Sequence, residues 1–164
     1  MSTGGLNGFI IDGVEKVFYV NWDAYPSGVG MWSLQFCRDT TDWDGVRQRA
    51  RDLVVVDEDD APSEEQMDLL FRRVGEVIDM DARNWGVTLS KVQGRLGLIL
   101  AAGFVAYPGV GMTHGEGTDV QYGYVVDLDK NEFRAYAGTF SERLMRAWPL
   151  DALPVDADFL SLGD

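Results

Sequence analysis

One short stretch concentrates groups able to grip or transform a molecule: Tyr19-Val20-Asn21-Trp22-Asp23-Ala24-Tyr25-Pro26-Ser27-Gly28-Val29-Gly30. Asp23 is its only charge and stands between Trp22 and Tyr25. An aspartate so placed has two uses. It can bond backbone N–H groups and hold the loop, or it can accept hydrogen bonds from a ligand whose flat face packs on Trp22 or Tyr25. Aromatic walls with a few placed polar groups are what small-molecule pockets consist of. Asn21 adds an amide that both donates and accepts. Gly28 and Gly30 bring backbone N–H groups to the start of a helix, where an anion or polar oxygen can be held; their plainer use is to permit tight turns. Neither Gly28-Val29-Gly30 nor Gly109-Val110-Gly111 extends to a G-x-G-x-x-G or phosphate-loop pattern.

The second reactive position is His114, the single histidine, in the glycine-rich segment from Tyr107 to Asp119. One imidazole and one cysteine, Cys37, cannot assemble a zinc site, so no metal is expected. His114-Gly115-Glu116 matches half of a zinc-deaminase signature, but the Pro-Cys-x-x-Cys half is missing. A Ser-His-Asp triad lacks a nucleophile elbow. His114 is therefore either a polar loop residue or an acid, base or ligand contact. Asp127-Leu128-Asp129-Lys130-Asn131 resembles half of a calcium loop, but Glu132 stands where glycine is required, and a hairpin turn accounts for it. Asp57 to Asp60 reads as a solvated acidic loop.

These loops need elements to hold them. Gly8 to Gly13 and Val14 to Val20, joined at Asp12-Gly13, read as a β-hairpin. Pro26 keeps Tyr25 extended, and a helix follows from Ser27–Gly30 with Met31, Leu34 and Cys37 on one face. The polar break Arg38-Asp39-Thr40-Thr41-Asp42 supplies N-cap candidates for a second helix, with Val46, Ala50, Leu53 and Val54 along its stripe. Ser63 and Gln66 form a capping box for a third, with Met67, Leu70, Phe71, Val74 and Ile78 as its buried face. Ser90 and Gln93 suggest another capping box, leading into Val92, Leu96, Ile99 and Leu100. Phe104 to Gly117 reads as irregular. Val120 to Asp127 and Glu132 to Tyr136 read as a second hairpin, and Ser141 to Trp148 as a last short helix. The expected fold is α+β: an antiparallel sheet built from the N-terminal and C-terminal hairpins and covered by about four helices. It forms a single domain over residues 1–150, followed by an extended tail over 151–164.

Composition narrows the function classes. The chain has 164 residues, 46% of them hydrophobic, which suffices for one core without disulfides. A net charge of -13 argues against nucleic-acid binding through phosphates and against anionic membranes. No apolar run reaches the roughly 18 residues of a membrane span, and no signal-peptide pattern opens the chain. A cytoplasmic, acidic protein is expected, with no cofactor and no membrane or nucleic-acid partner; a homo-oligomer stays open.

The hairpin, the loop Trp22-Asp23-Ala24-Tyr25-Pro26-Ser27-Gly28-Val29-Gly30 and the run Tyr124-Val125-Val126-Asp127-Leu128-Asp129 resemble a group of uncharacterised bacterial and phage proteins. In that group the first loop commonly reads Tyr-Asn-His-Phe-Asp-Ser-Tyr-Pro, and the similarity runs with gaps from about Gly8 to Gly138. Asp23, Tyr25, Pro26, Gly28 and Gly30 match the pattern. Val20, Asn21 and Ala24 replace its Asn, His and Ser, so chemistry assigned to that His or Ser could not occur here. The resemblance supports the organisation and the site, admits a phage origin and implies no reaction.

What remains is recognition chemistry. The leading expectation is a binding protein that sequesters or senses a small polar, nucleotide-like metabolite through Asn21, Trp22, Asp23, Tyr25, Gly28 and Gly30, with Tyr107 and His114 on a second loop. One alternative is a small hydrolase or transferase using Asp23 and His114. Another is an acidic protein-interaction or nucleic-acid-mimic module.

Overall fold

The computed structural model describes residues 3–107, 120–137 and 143–163, and of Tyr107 the backbone alone. Strands β1 (Gly5–Ile11) and β2 (Val14–Val20) form the expected hairpin. Asp12 and Gly13 both take positive φ, 52° and 73°, as the tight two-residue turn requires. β5 (Tyr122–Asp127) and β6 (Glu132–Ala137) form the second hairpin. Its turn is held by the Asp127 carboxylate, which accepts from the backbone N–H of Asp129 and Lys130. The two turns lock together, because the Asp129 carboxylate accepts from the backbone N–H of Asp12 (2.7 Å) and Gly13 (2.8 Å).

The fold class is α+β, as expected, with two differences in the sheet. The hairpins join through β1 and β5, and that pairing is parallel, so the five-stranded order β2-β1-β5-β6-β7 is mixed. A parallel junction needs a long crossover, and residues 21–121 supply it. The fifth strand, β7 (Leu144–Pro149), occupies most of the segment expected to be helical. There Trp148 stacks on Phe133 of the neighbouring strand, with ring centroids 5.9 Å apart, and cross-strand aromatic packing of that kind outweighs local preference.

The crossover begins with a single π-type turn, Pro26–Gly30, and continues into α1 (Met31–Asp39) and α2 (Trp43–Asp52). The Asp42 carboxylate caps α2 by accepting from the Gly45 N–H at 2.9 Å. Helix α2 ends at Asp52, short of the expected Leu53 and Val54, and Val54 opens β3 (Val54–Asp57), which pairs in parallel with β4 (Phe104–Tyr107), where the sequence predicts irregular structure. β4 lies alongside β2. Helix α3 (Glu64–Val74) carries the complete Ser63/Gln66 capping box. Of its expected buried face, Leu70 is fully buried whereas Phe71 is exposed.

A 3-10 turn (Gly75–Val77) leads to the short α4 (Trp85–Thr88), capped by Asn84 rather than Ser90, and α5 (Leu96–Ala102) starts only after Arg95. The expected helix through Gln93 is interrupted at Gly94. Its φ of +84° is left-handed, a backbone conformation that favours glycine and breaks the helix. The tail is not wholly extended. Helix α6 (Asp156–Leu160) inserts a fully buried Phe159 among Tyr124, Phe133 and Trp148.

Every second residue of β1 faces the main core: Phe9 and Ile11 pack with Phe18, Leu34, Leu70, Ile99, Tyr124 and Val126. Leu6 points to the opposite face, where a smaller cluster with Val17, Val120, Val125 and Tyr136 forms. No helix among the described residues is long and apolar enough to cross a membrane.

Candidate functional site

The Asn21–Gly30 loop leaves β2 and is anchored at several points. The Ala24 N–H donates to Thr3 O (3.1 Å), the Tyr124 hydroxyl donates to Ala24 O (3.0 Å), and the Val29 N–H donates to Asp23 O (2.9 Å). Asp23 has a left-handed φ of 53° and folds against Gly28. A Cβ at Gly28 would run into the Asp23 backbone oxygen and carboxylate, and one at Gly30 would lie 2.8 Å from the Tyr124 ring. Both glycines are thus required by close packing. Tyr25 packs on Tyr122, with centroids 5.9 Å apart.

Trp22 remains 41% exposed. Its ring meets Trp32 edge to face at 5.6 Å, and the Arg95 guanidinium sits 4.4 Å from the Trp32 centroid, so α1, α5 and the loop share a ladder of two indoles and a cation.

Beside this ladder, Asn21 and Tyr19 form one wall of an open cleft of about 310 Å³. The other walls are Glu58 and Asp59 from the β3–α3 connection, Asn84, Gly86 and Val87 around α4, and Ser90 and Gln93 ahead of α5. The walls are pinned to each other. The Gly86 N–H donates to Glu58 O (2.9 Å) and the Trp85 N–H to Asp60 O (2.8 Å), while Trp85 is buried and stacked on Phe104 at 4.7 Å. Asn84 Oδ1 accepts from the Val87 N–H at 2.8 Å, which leaves its amide nitrogen to donate. Burial pushes the Glu58 carboxyl above its ordinary range, and the neighbouring Asp59 and Asp57 add to the effect.

The sequence-predicted residues therefore divide. Asn21 lines the cleft; Trp22 flanks it in the chain; Asp23, Tyr25, Gly28 and Gly30 shape the loop behind it. The Tyr107 backbone pairs in register with Asp57, one residue from Glu58, so β4 runs toward the same end of the molecule. His114 and the rest of the second loop lie outside the described residues, and with them any pairing of His114 with Asp23. Sequence reasoning missed Glu58, Asp59, Asn84, Ser90 and Gln93 as a group. Asp57 to Asp60 looked like plain solvated surface, and the one available signal was Asn84 at a cap position. Cys37 is buried, and burial pushes its thiol well up, so it is no nucleophile.

No protein-family model, no curated protein and no solved structure matches this chain.

Proposed function

We propose that the protein binds a small polar ligand in the cleft between Asn21 and α4. The carrying observation is convergence: Asn21, Glu58, Asp59, Asn84 and Gln93 come from four separate segments and line one concavity. Its size is at the lower end of small-molecule sites, which run from roughly 300 to 1,000 Å³. Its chemistry is amide donors and acceptors, a hydroxyl, a phenol and two carboxylates, with no Lys or Arg among the described lining residues. That set favours a neutral or cationic ligand rich in hydroxyl, amide or amine groups, such as a nucleoside, an amino sugar or a polyamine. A phosphate would meet two carboxylates there without a counter-charge.

Thermal-shift screening followed by calorimetry with those three ligand classes tests the proposal. A ligand that stabilises the chain should bind about tenfold more weakly to Asn21→Ala and to Glu58→Gln, the effect of losing one hydrogen bond of about 1–1.5 kcal/mol. If no ligand responds to either change, the cleft is not a binding site.

A further inference from the structure

At the other end of the sheet lies a second groove, of about 560 Å³. The hairpin register puts Asn21 beyond one end of β2 and the Asp12-Gly13 turn at the other. The groove, beside the β5–β6 turn that locks onto Asp12 and Gly13, is thus about 20 Å from the cleft at roughly 3.3 Å per strand residue.

Three segments build it. Trp43 and Arg47 stand four residues apart on α2, so they share a helix face. Lys130 and Asn131 come from the β5–β6 turn, and Leu150 and Asp151 follow β7. The walls are fastened by the Leu150 N–H donating to Asn131 O at 2.9 Å and by the Arg47 guanidinium donating to the Asn131 side-chain oxygen. The Trp43 indole is half-buried and held edge-on against Phe36, with centroids 6.4 Å apart.

The lining of this groove lacks the acidic excess of the molecule as a whole. On a chain of net charge -13, Arg38, Arg51 and Arg134 are matched by carboxylates. In the groove Arg47 and Lys130 face one lining carboxylate, Asp151. Arg47 also has the exposed Asp44 at 3.3 Å. Among the described residues the Lys130 ammonium has no hydrogen bond or ion pair. A positioned guanidinium, an unmatched ammonium, an indole and a carboxylate acceptor form a complementary set for one ligand chemistry.

We infer that this groove is a mononucleotide site, with the base packed on Trp43, the phosphate held by Arg47 and Lys130, and a sugar hydroxyl donating to Asp151. Indole stacking tolerates any base, and cations supply the phosphate contacts. The site is independent of the Asn21 cleft.

Calorimetry on the full chain with adenosine and uridine 5′-monophosphates, and with ribose 5-phosphate and inorganic phosphate as controls, tests it. Both mononucleotides should bind, each control at least about tenfold more weakly, since the base stack that the controls lack contributes on that order. Lys130→Ala should weaken mononucleotide binding about tenfold while Lys130→Arg retains it, by the same charge-assisted bond. Lys91→Ala, which removes an exposed lysine elsewhere, should change nothing. Lys130 is exposed and its side chain has no partner among the described residues, so its variants keep the fold, which circular dichroism checks. Absence of binding by either mononucleotide at millimolar concentration overturns the assignment, as does equal affinity in Lys130→Ala and the parent.

Discussion

Glu58 sits where the electrostatics of the cleft are most strained. Its carboxyl is half-buried, and Asp59 and Asp57 stand close by, so the charged form is disfavoured in the folded chain relative to its ordinary value of 4.5. A carboxyl raised on folding holds its proton more tightly in the native state. The stability it contributes is therefore complete below 4.5 and is lost as pH rises from there through the higher folded value. Glu58→Gln removes that dependence. The variant should melt above the parent at pH 7, and the gap should close as the pH is taken below about 4.5, where Glu58 is protonated in both states. A gap of the same size at both pH values would show that the charge is already relieved in the parent.

At the scale of elements, α2 is held at both ends by side chains. Asp42 caps its start, and Lys16 from β2 closes its end. The Lys16 ammonium donates to the carbonyls of Ala50 (2.8 Å), Arg51 (2.8 Å) and Leu53 (2.9 Å), and the residue is only 8% exposed. Three donors meet carbonyls at and just past the helix end, where backbone acceptors run short of N–H partners; of the three, Ala50 O also accepts from the Leu53 N–H at 3.4 Å, and a cation at a helix C-terminus complements the dipole. Burial lowers the Lys16 pKa, partly countered by Asp52 and Asp12. Lys16→Met keeps the length of the side chain and removes all three donors. Leaving buried carbonyls unpaired costs about 1–3 kcal/mol, read as a lower denaturation midpoint at unchanged slope. An unchanged midpoint would mean that water caps the helix equally well. Nothing in the sequence marks Lys16 for this task, because it stands in a strand where an outward lysine is ordinary. The Ser63/Gln66 box is the opposite case: four residues of local chemistry specify it, and the structure contains it complete.

For the whole molecule, the C-terminal segment is part of the core. Phe159 is fully buried against Phe133 and Trp148 from the sheet's far strands, at 5.9 and 5.6 Å, and against Tyr124 at 6.2 Å. Phe159→Ala should cost about 3–5 kcal/mol, the usual result of emptying such a site, measured by chemical denaturation. A loss below about 1 kcal/mol would place the segment outside the cooperative unit. Local pattern alone determined both hairpins with their turns, the Ser63 cap and the loop that opens at Asn21, because each depends on residues within a few positions of one another; among the polar residues Arg38 to Asp42 the structure selects Asp42 as the α2 cap. Tertiary structure decided the rest. It set the parallel β1–β5 junction, the β3–β4 pair, the strand at Leu144–Pro149 and the break at Gly94, since long-range pairing and packing override weak local preference. It also decided the site. Asn21 was visible as a polar residue in an aromatic loop, but Glu58, Asp59, Asn84 and Gln93 become its neighbours only when the crossover folds back on β2, and no spacing along the chain encodes that meeting.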